Sequence, residues 1–156
     1  MNFRPLTAAD LPLVASWLTR PQVAQWWDGS IALEVELRQA LAVLDDEAIG
    51  YVQSYQAVAC HSDGWWLELT DPGVFGVDLF LADEVKREQG LGARMVRAFV
   101  AELFADPRVT RVQADPSPLN ARAIRCYEKA GFRRVREIVT PDGPAVLMHR
   151  DRLVRP

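Results

Sequence analysis

Val74-Phe75-Gly76-Val77-Asp78-Leu79-Phe80-Leu81, followed after a charged stretch by Arg87-Glu88-Gln89-Gly90-Leu91-Gly92, is the part of the sequence that decides the fold. The first block is a near-continuous apolar run with one acid in it, the pattern of a buried central strand. Beyond the glycines, Leu91, Met95, Phe99 and Leu103 recur every four residues, and Val96 and Val100 broaden the stripe. That spacing predicts an amphipathic helix beginning at the glycines. A helix N-terminus offers unpaired N–H groups and about half a positive charge, so it attracts anions. Gly90 and Gly92 remove side chains that would hold a phosphate away from the backbone. Lys86, Arg87 and Arg94 add positive charge around the turn, while Glu88, Gln89 and Ala93 complete it. A tight strand-to-helix turn that uses glycine only for its geometry has the same pattern. Two other phosphate motifs do not fit. A P-loop needs Lys-Ser or Lys-Thr after its last glycine, where Ala93-Arg94 stands; a dinucleotide fingerprint needs Gly or Ala where Met95 stands.

Outward from this unit the chain reads as one mixed α/β domain spanning residues 1–156. Asn2 to Leu6 suggests a first strand, and Thr7 can cap a helix over Ala8 to Leu18. Pro21 restarts a short helix that ends at Trp26-Trp27-Asp28-Gly29, and Ile31 to Arg38 is expected to be helical. Ala40–Leu44 and Ala48–Tyr55 bracket Asp45-Asp46-Glu47 as a hairpin. Residues 57–73 read as a long functional loop. Downstream come a strand over Val109–Ala114, a helix starting at Ser117-Pro118 and ending at Gly131, and two strands, Arg133–Val139 and Ala145–His149.

Composition narrows the class. The chain has 156 residues, 49% hydrophobic and 25% charged, which suits one soluble domain with a real core. Its start has no apolar run of the signal-peptide kind, and no stretch approaches the ~18 apolar residues of a membrane span. Neither a membrane nor a nucleic acid is expected as a partner, and a cytoplasmic location is expected. Cys60 and Cys126 have no metal-ligand or redox spacing, so no metal is expected; Cys126 reads as a buried helix thiol. The net charge is −3, but its distribution is uneven. Residues 39–85 contain no Lys or Arg and carry Asp45, Asp46, Glu47, Asp63, Glu68, Asp71, Asp78, Asp83 and Glu84; Lys86, Arg87, Arg94 and Arg97 then follow. An acidic half beside a basic cluster suggests two ligands of opposite sign, and chance clustering on a solvated surface is the plain alternative.

The Arg87-x-x-Gly90-x-Gly92 turn resembles the acetyl-CoA signature of the GNAT superfamily of N-acetyltransferases. The run from Asp115-Pro116-Ser117-Pro118-Leu119-Asn120 through Cys126-Tyr127-Glu128-Lys129-Ala130-Gly131-Phe132 is similar to that superfamily's second half, specifically to the aminoglycoside 6′-N-acetyltransferases. Gly50-Tyr51-x-Gln53-Ser54-Tyr55, Asp63-Gly64-Trp65-Trp66, Thr70-Asp71-Pro72-Gly73-Val74 and Thr140-Pro141-Asp142-Gly143-Pro144 extend the resemblance over essentially the whole chain. It implies a GNAT fold: a mixed, mostly antiparallel sheet of about seven strands, flanked by about four helices and splayed between its central strands. It also implies acetyl-CoA as cosubstrate and a small cationic amine, an aminoglycoside, as acceptor.

The resemblance assigns roles residue by residue. Tyr127 becomes the general acid toward the CoA thiolate, and Asn120, two helical turns earlier, a pantetheine contact. Spacing alone would leave Tyr127 as a core aromatic beside Cys126 and Phe132. Asp78 becomes the carboxylate that assists loss of the amine proton; an acid satisfied at a strand bulge is the other reading. Backbone N–H groups of Leu79, Phe80 and Leu81 become donors to the acetyl carbonyl. Asp63, Asp78 and Asp115 match acceptor-contacting positions, and Trp27, Tyr55 and Trp66 offer walls for sugar rings, although Trp65-Trp66 also suits an ordinary core. Asp142 also reads as a plain turn residue. Some positions depart from the family. The chain is shorter than the drug-modifying relatives between Gly29 and Gly50, Leu67 and Leu69 stand where those carry acids, and Phe75, Leu79 and Phe80 replace more polar residues.

Overall fold

The computed structural model describes residues 1–83 and 89–153. Strand β1 (Asn2–Pro5) leads into a 3-10 turn (Ala8–Asp10), then helices α1 (Leu11–Leu18) and α2 (Pro21–Ala24). Strands β2 (Arg38–Leu44) and β3 (Glu47–Gln56), a second 3-10 helix (Ala57–Asp63) and β4 (Val74–Leu81) follow. The chain continues through α3 (Leu91–Phe104), β5 (Arg111–Ala114), α4 (Ala121–Lys129), β6 (Arg133–Thr140) and β7 (Gly143–Asp151). The strands form one seven-stranded sheet in the order β1-β2-β3-β4-β5-β7-β6. Every pairing is antiparallel except β4 with β5. This is the expected mixed, mostly antiparallel GNAT sheet with flanking helices.

The decisive stretch behaves as its pattern predicts. β4 spans the whole apolar run, and its Val77 and Leu81 pack with Met95, Phe99 and Leu103 of α3 in the largest core cluster. The hairpin is also where expected: Asp45 and Asp46 both adopt positive φ (+50° and +63°), the two-residue turn whose twist matches the strands it joins. The splay is visible in the register. β4 is eight residues long, yet only Val74, Phe75 and Gly76 pair with β5, so its Asp78–Leu81 half has β3 on one side and an open notch on the other.

Two expected helix assignments are corrected. Residues 31–37 form no helix. Their apolar residues alternate instead of recurring at helical spacing, Leu33 and Val35 are exposed, and the Gln39 side chain holds the backbone at Ala32 and Glu34. The last helix begins at Ala121 rather than at Ser117. Ser117 is used in a preceding turn, where its hydroxyl accepts from Leu119 N–H, and Asn120 caps the helix by accepting from Ala123 N–H at 3.1 Å. The 57–73 segment is less of a loop than expected, since its first seven residues wind into the 3-10 helix. Among the described residues no helix is long and apolar enough to cross a membrane.

Candidate functional site

A groove of about 300 Å³ opens where β4 leaves β5. Leu79, Phe80 and Leu81 line one side, Gly90, Gly92 and Ala93 the start of α3, and Asn120, Ala123, Cys126 and Tyr127 the face of α4. The structure thus brings together these eight residues expected around the cofactor: Leu79, Phe80, Leu81, Gly90, Gly92, Ala93, Asn120 and Tyr127. Leu91 instead faces the core, and Gln89 and Arg94 are exposed away from the groove lining. Lys86, Arg87 and Glu88 lie outside the described residues.

The two glycines do different work. Gly90 caps α3 with φ +73° and a hypothetical Cβ there meets nothing within 4 Å, so the backbone is open to approach. At Gly92 a Cβ would come within 3.1 Å of Cys126 Sγ, so this glycine lets α3 and α4 pack closely. Cys126 was expected to be buried; it is half-buried and lines the groove, and neither cysteine forms a disulfide.

Strand alternation decides which N–H groups face the notch. Ala82 N–H donates to Ile49 carbonyl at 2.9 Å, so Phe80 also faces β3, and the N–H groups of Leu79 and Leu81 point to the unpaired side. The groove also has cations that the sequence reading missed: Arg122, Arg125 and Lys129 of α4. Their spacing of three and four residues marks one helix face, which was legible in the sequence but assigned no role. Gln22, Val23 and Trp26 of the α2 region were missed as well. Trp27, expected as an acceptor wall, lines this same groove, where it packs edge-to-face on Phe80 (5.0 Å) and Tyr51 (5.8 Å). Open backbone at a helix start, three cations and an apolar channel fit a long anionic thioester such as acetyl-CoA.

Tyr127 connects this groove to a second region. Its side chain is 7% exposed, its ring lies 5.2 Å from Phe132, and burial with the nearby charges of Asp78, Cys126 and Asp115 holds its hydroxyl protonated well above the usual phenol range. Asp78 is half-buried and accepts from Gln53 Nε2 at 3.1 Å. Burial raises its proton affinity, the Gln53 hydrogen bond opposes that rise, and Asp142 adds to it. Asp115 is pushed up to about 8 by burial and then by Asp78 and Asp142. Asp142, set aside as a turn residue, therefore belongs to this group of carboxylates.

Tyr55 and Trp66, expected as walls for the acceptor, instead pack together in a small core cluster, Trp66 buried and Tyr55 partly so. The Tyr55 ring lies directly over Gly76, where a Cβ would come within 2.1 Å of Tyr55 Cζ. Trp66 is 6% exposed, has φ +56° and clusters with Ala57, Val74 and Leu147. His61 Nε2 bonds the Trp66 carbonyl at 2.8 Å and fixes that turn. Asp63 ends the 3-10 helix and is exposed. Burial first, then the charges of Asp63, Glu36 and Asp78, pushes the Cys60 thiol up. Among the described residues no group of three His, Cys, Asp or Glu side chains is placed to hold a metal ion.

Comparison with known proteins agrees with this geometry. Residues 7–140 match the acetyltransferase (GNAT) domain family. The aminoglycoside N(6′)-acetyltransferase type 1 of Klebsiella pneumoniae is 45% identical over 168 aligned positions, covering 97% of this chain and 83% of the relative. That alignment is longer than the 156-residue chain, so the relative carries residues that this chain lacks. A kanamycin resistance protein of Rhizobium radiobacter is 59% identical over 88 residues, 56% of this chain and 82% of the relative. The crystal structure of aminoglycoside acetyltransferase AAC(6′)-Ib in complex with coenzyme A and kanamycin superposes with a TM-score of 0.91 at 45% identity, covering 97% of this chain and 94% of that one.

Proposed function

The chain belongs to the GNAT acetyltransferases, and from that premise we propose that it transfers the acetyl group of acetyl-CoA to the 6′-amine of aminoglycoside antibiotics. The observation that carries the proposal is the notch beside β4. A cationic, backbone-lined groove and a pair of mutually interacting, half-buried carboxylates, Asp78 and Asp115, meet there around Tyr127.

The two sides divide the chemistry. Arg122, Arg125 and Lys129, with the open start of α3, hold the phosphates of the acetyl donor. The N–H groups of Leu79 and Leu81 face the negative charge that develops on the acetyl oxygen. Asp78 takes the proton lost by the attacking amine, and Tyr127 donates its proton to the departing thiolate. The exposed acids Glu36, Asp63 and Asp142 draw in a polycation, and Asp115 accepts a hydrogen bond from one of its amines. Tyr55 and Trp66 support this side from beneath, and Trp27 closes the groove at the acetyl end. Asn120 serves the pantetheine arm from the N-cap of α4. The activity belongs to a single acetyltransferase domain spanning residues 1–156, acting in the cytoplasm where acetyl-CoA is available.

Leu67 and Leu69, where acids stand in the drug-modifying relatives, leave fewer carboxylates at the rim, and Leu67 is exposed. The expected consequence is weaker hold on the drug without loss of the reaction. Acetyl-CoA mixed with kanamycin or tobramycin should release CoA thiol in a coupled colorimetric assay. Turnover on other amines with none across an aminoglycoside panel would refute the acceptor assignment.

A further inference from the structure

A line of hydrogen bonds crosses the sheet and ends on Asp78. Gln39, Gln53 and Asp78 are cross-strand neighbours on β2, β3 and β4. Gln39 Nε2 donates to the Ala32 carbonyl at 2.8 Å, and its Oε1 accepts from the Glu34 N–H at 2.9 Å. A carbonyl can only accept and an amide N–H can only donate, so these backbone groups allow the Gln39 amide one orientation. The same Nε2 reaches Tyr51 Oη at 3.1 Å, where the oxygen must accept. The Tyr51 proton is then directed to Gln53 Oε1 at 2.8 Å, and Gln53 presents Nε2 to Asp78 Oδ2 at 3.1 Å. Every donor points the same way. Tyr51 is fully buried, and burial pushes its hydroxyl up to about 12, so it keeps the proton that the line requires.

We infer that Gln53 is a positioning residue for Asp78, with its orientation set through Tyr51 and Gln39 by the backbone of Ala32 and Glu34. The inference rests on the reading of Asp78 as the amine-side carboxylate. Its consequence is atomic. Oδ2 is committed to accepting from Gln53, which leaves Oδ1 to take the substrate proton. As the amine nitrogen forms its bond to the acetyl carbon, its N–H bond breaks, the proton moving to Oδ1 and the electron pair staying on nitrogen; the carbon–sulfur bond then breaks with its pair leaving on sulfur, which takes the Tyr127 proton.

If the line ran the other way, Gln53 would present Oε1, which only a protonated Asp78 can satisfy. The observed direction therefore favours the basic form in surroundings that disfavour it. Those surroundings are burial and the carboxylates of Asp142 on the β6–β7 turn and Asp115 after β5. Tyr127 of α4, Tyr51 and Tyr55 of β3, and Cys60 of the second 3-10 helix also feel the Asp78 charge. The line begins at the backbone of Ala32 and Glu34, in the segment between Gly29 and Gly50. That segment acts here as the anchor that gives the catalytic carboxylate its polarity.

The test is a carbon-13 NMR titration of the Asp78 carboxyl in the free, full-length protein, assigned with Asp78→Asn. Gln39→Glu removes the donor to Tyr51 and substitutes an acceptor, so Tyr51 turns toward it and Gln53 turns its oxygen to Asp78. The Asp78 midpoint should rise by about 1 pH unit or more. Gln39→Glu/Tyr51→Phe keeps the added charge but lacks the hydroxyl, and its midpoint should return toward that of Tyr51→Phe alone. Gln53→Leu should also raise the midpoint and cut kcat/KM about tenfold below it, leaving the KM for acetyl-CoA unchanged. An equal rise in the single and double variants would mean that charge alone acts, and no rise in Gln39→Glu or Gln53→Leu would mean that no polarity is transmitted. Either result overturns the inference. The titration needs no acceptor, so it can fail while aminoglycosides are still acetylated, and succeed where they are not.

Discussion

The groove and the carboxylate notch share the open half of β4 and are built on opposite principles. On the groove side the useful groups are backbone N–H donors and the exposed ends of long cations, placed by the start of α3 and by one face of α4 along its length. On the notch side they are short acids partly withdrawn from water, whose proton affinities are set by one another and by Gln53. The first kind of site tolerates solvent and reads charge at a distance. The second depends on desolvation, where a few ångströms or one hydrogen bond changes a protonation state. An acetyl donor that carries phosphates suits the first. An amine that must arrive charged and react neutral suits the second.

Variants can separate the two sides. Tyr127 stands at their junction, so Tyr127→Phe should have the largest effect: kcat lower by about 10²-fold or more, with acetyl-CoA affinity nearly unchanged, as seen by steady-state kinetics beside calorimetric binding. An unaltered kcat would remove Tyr127 as the acid. Neutralising the groove alone is expected to be milder. Arg122→Gln/Arg125→Gln should raise the KM for acetyl-CoA about tenfold, lessen its salt dependence and spare the acceptor KM. A rise in the acceptor KM instead would show that these cations serve the notch. Gly76→Ala acts from beneath the notch, because its Cβ would collide with the Tyr55 ring. It should destabilise the fold by about 1–3 kcal/mol in chemical denaturation and weaken acceptor binding more than acetyl-CoA binding.

The contrast also explains what the sequence disclosed. The groove was legible because its parts are local: an apolar strand, the Gly90 turn and a helix stripe follow one another between Val74 and Phe104. Its α4 cations were visible as a helix face but had nothing nearby to give them meaning. Asp78 stood out as the lone acid in β4, whereas Gln39, Gln53 and Tyr51 did not, because their connection exists only in the β2–β3–β4 register. Residues 31–37 were misread as helix for a related reason. Their conformation is fixed by a side chain on the next strand, not by their own pattern. Ser117 resembled a helix cap as well as Asn120 does, and only the turn before α4 decides between them.

If the notch receives a polycation and directs one amine at the acetyl group, the product must be modified at a single nitrogen. The most direct measurement incubates the protein with acetyl-CoA and tobramycin and locates the acetyl group on the product by NMR. The expected product carries one acetyl group per drug molecule, on the 6′-nitrogen. Acetylation scattered over several amines, or none on the drug while another amine is modified, would contradict it.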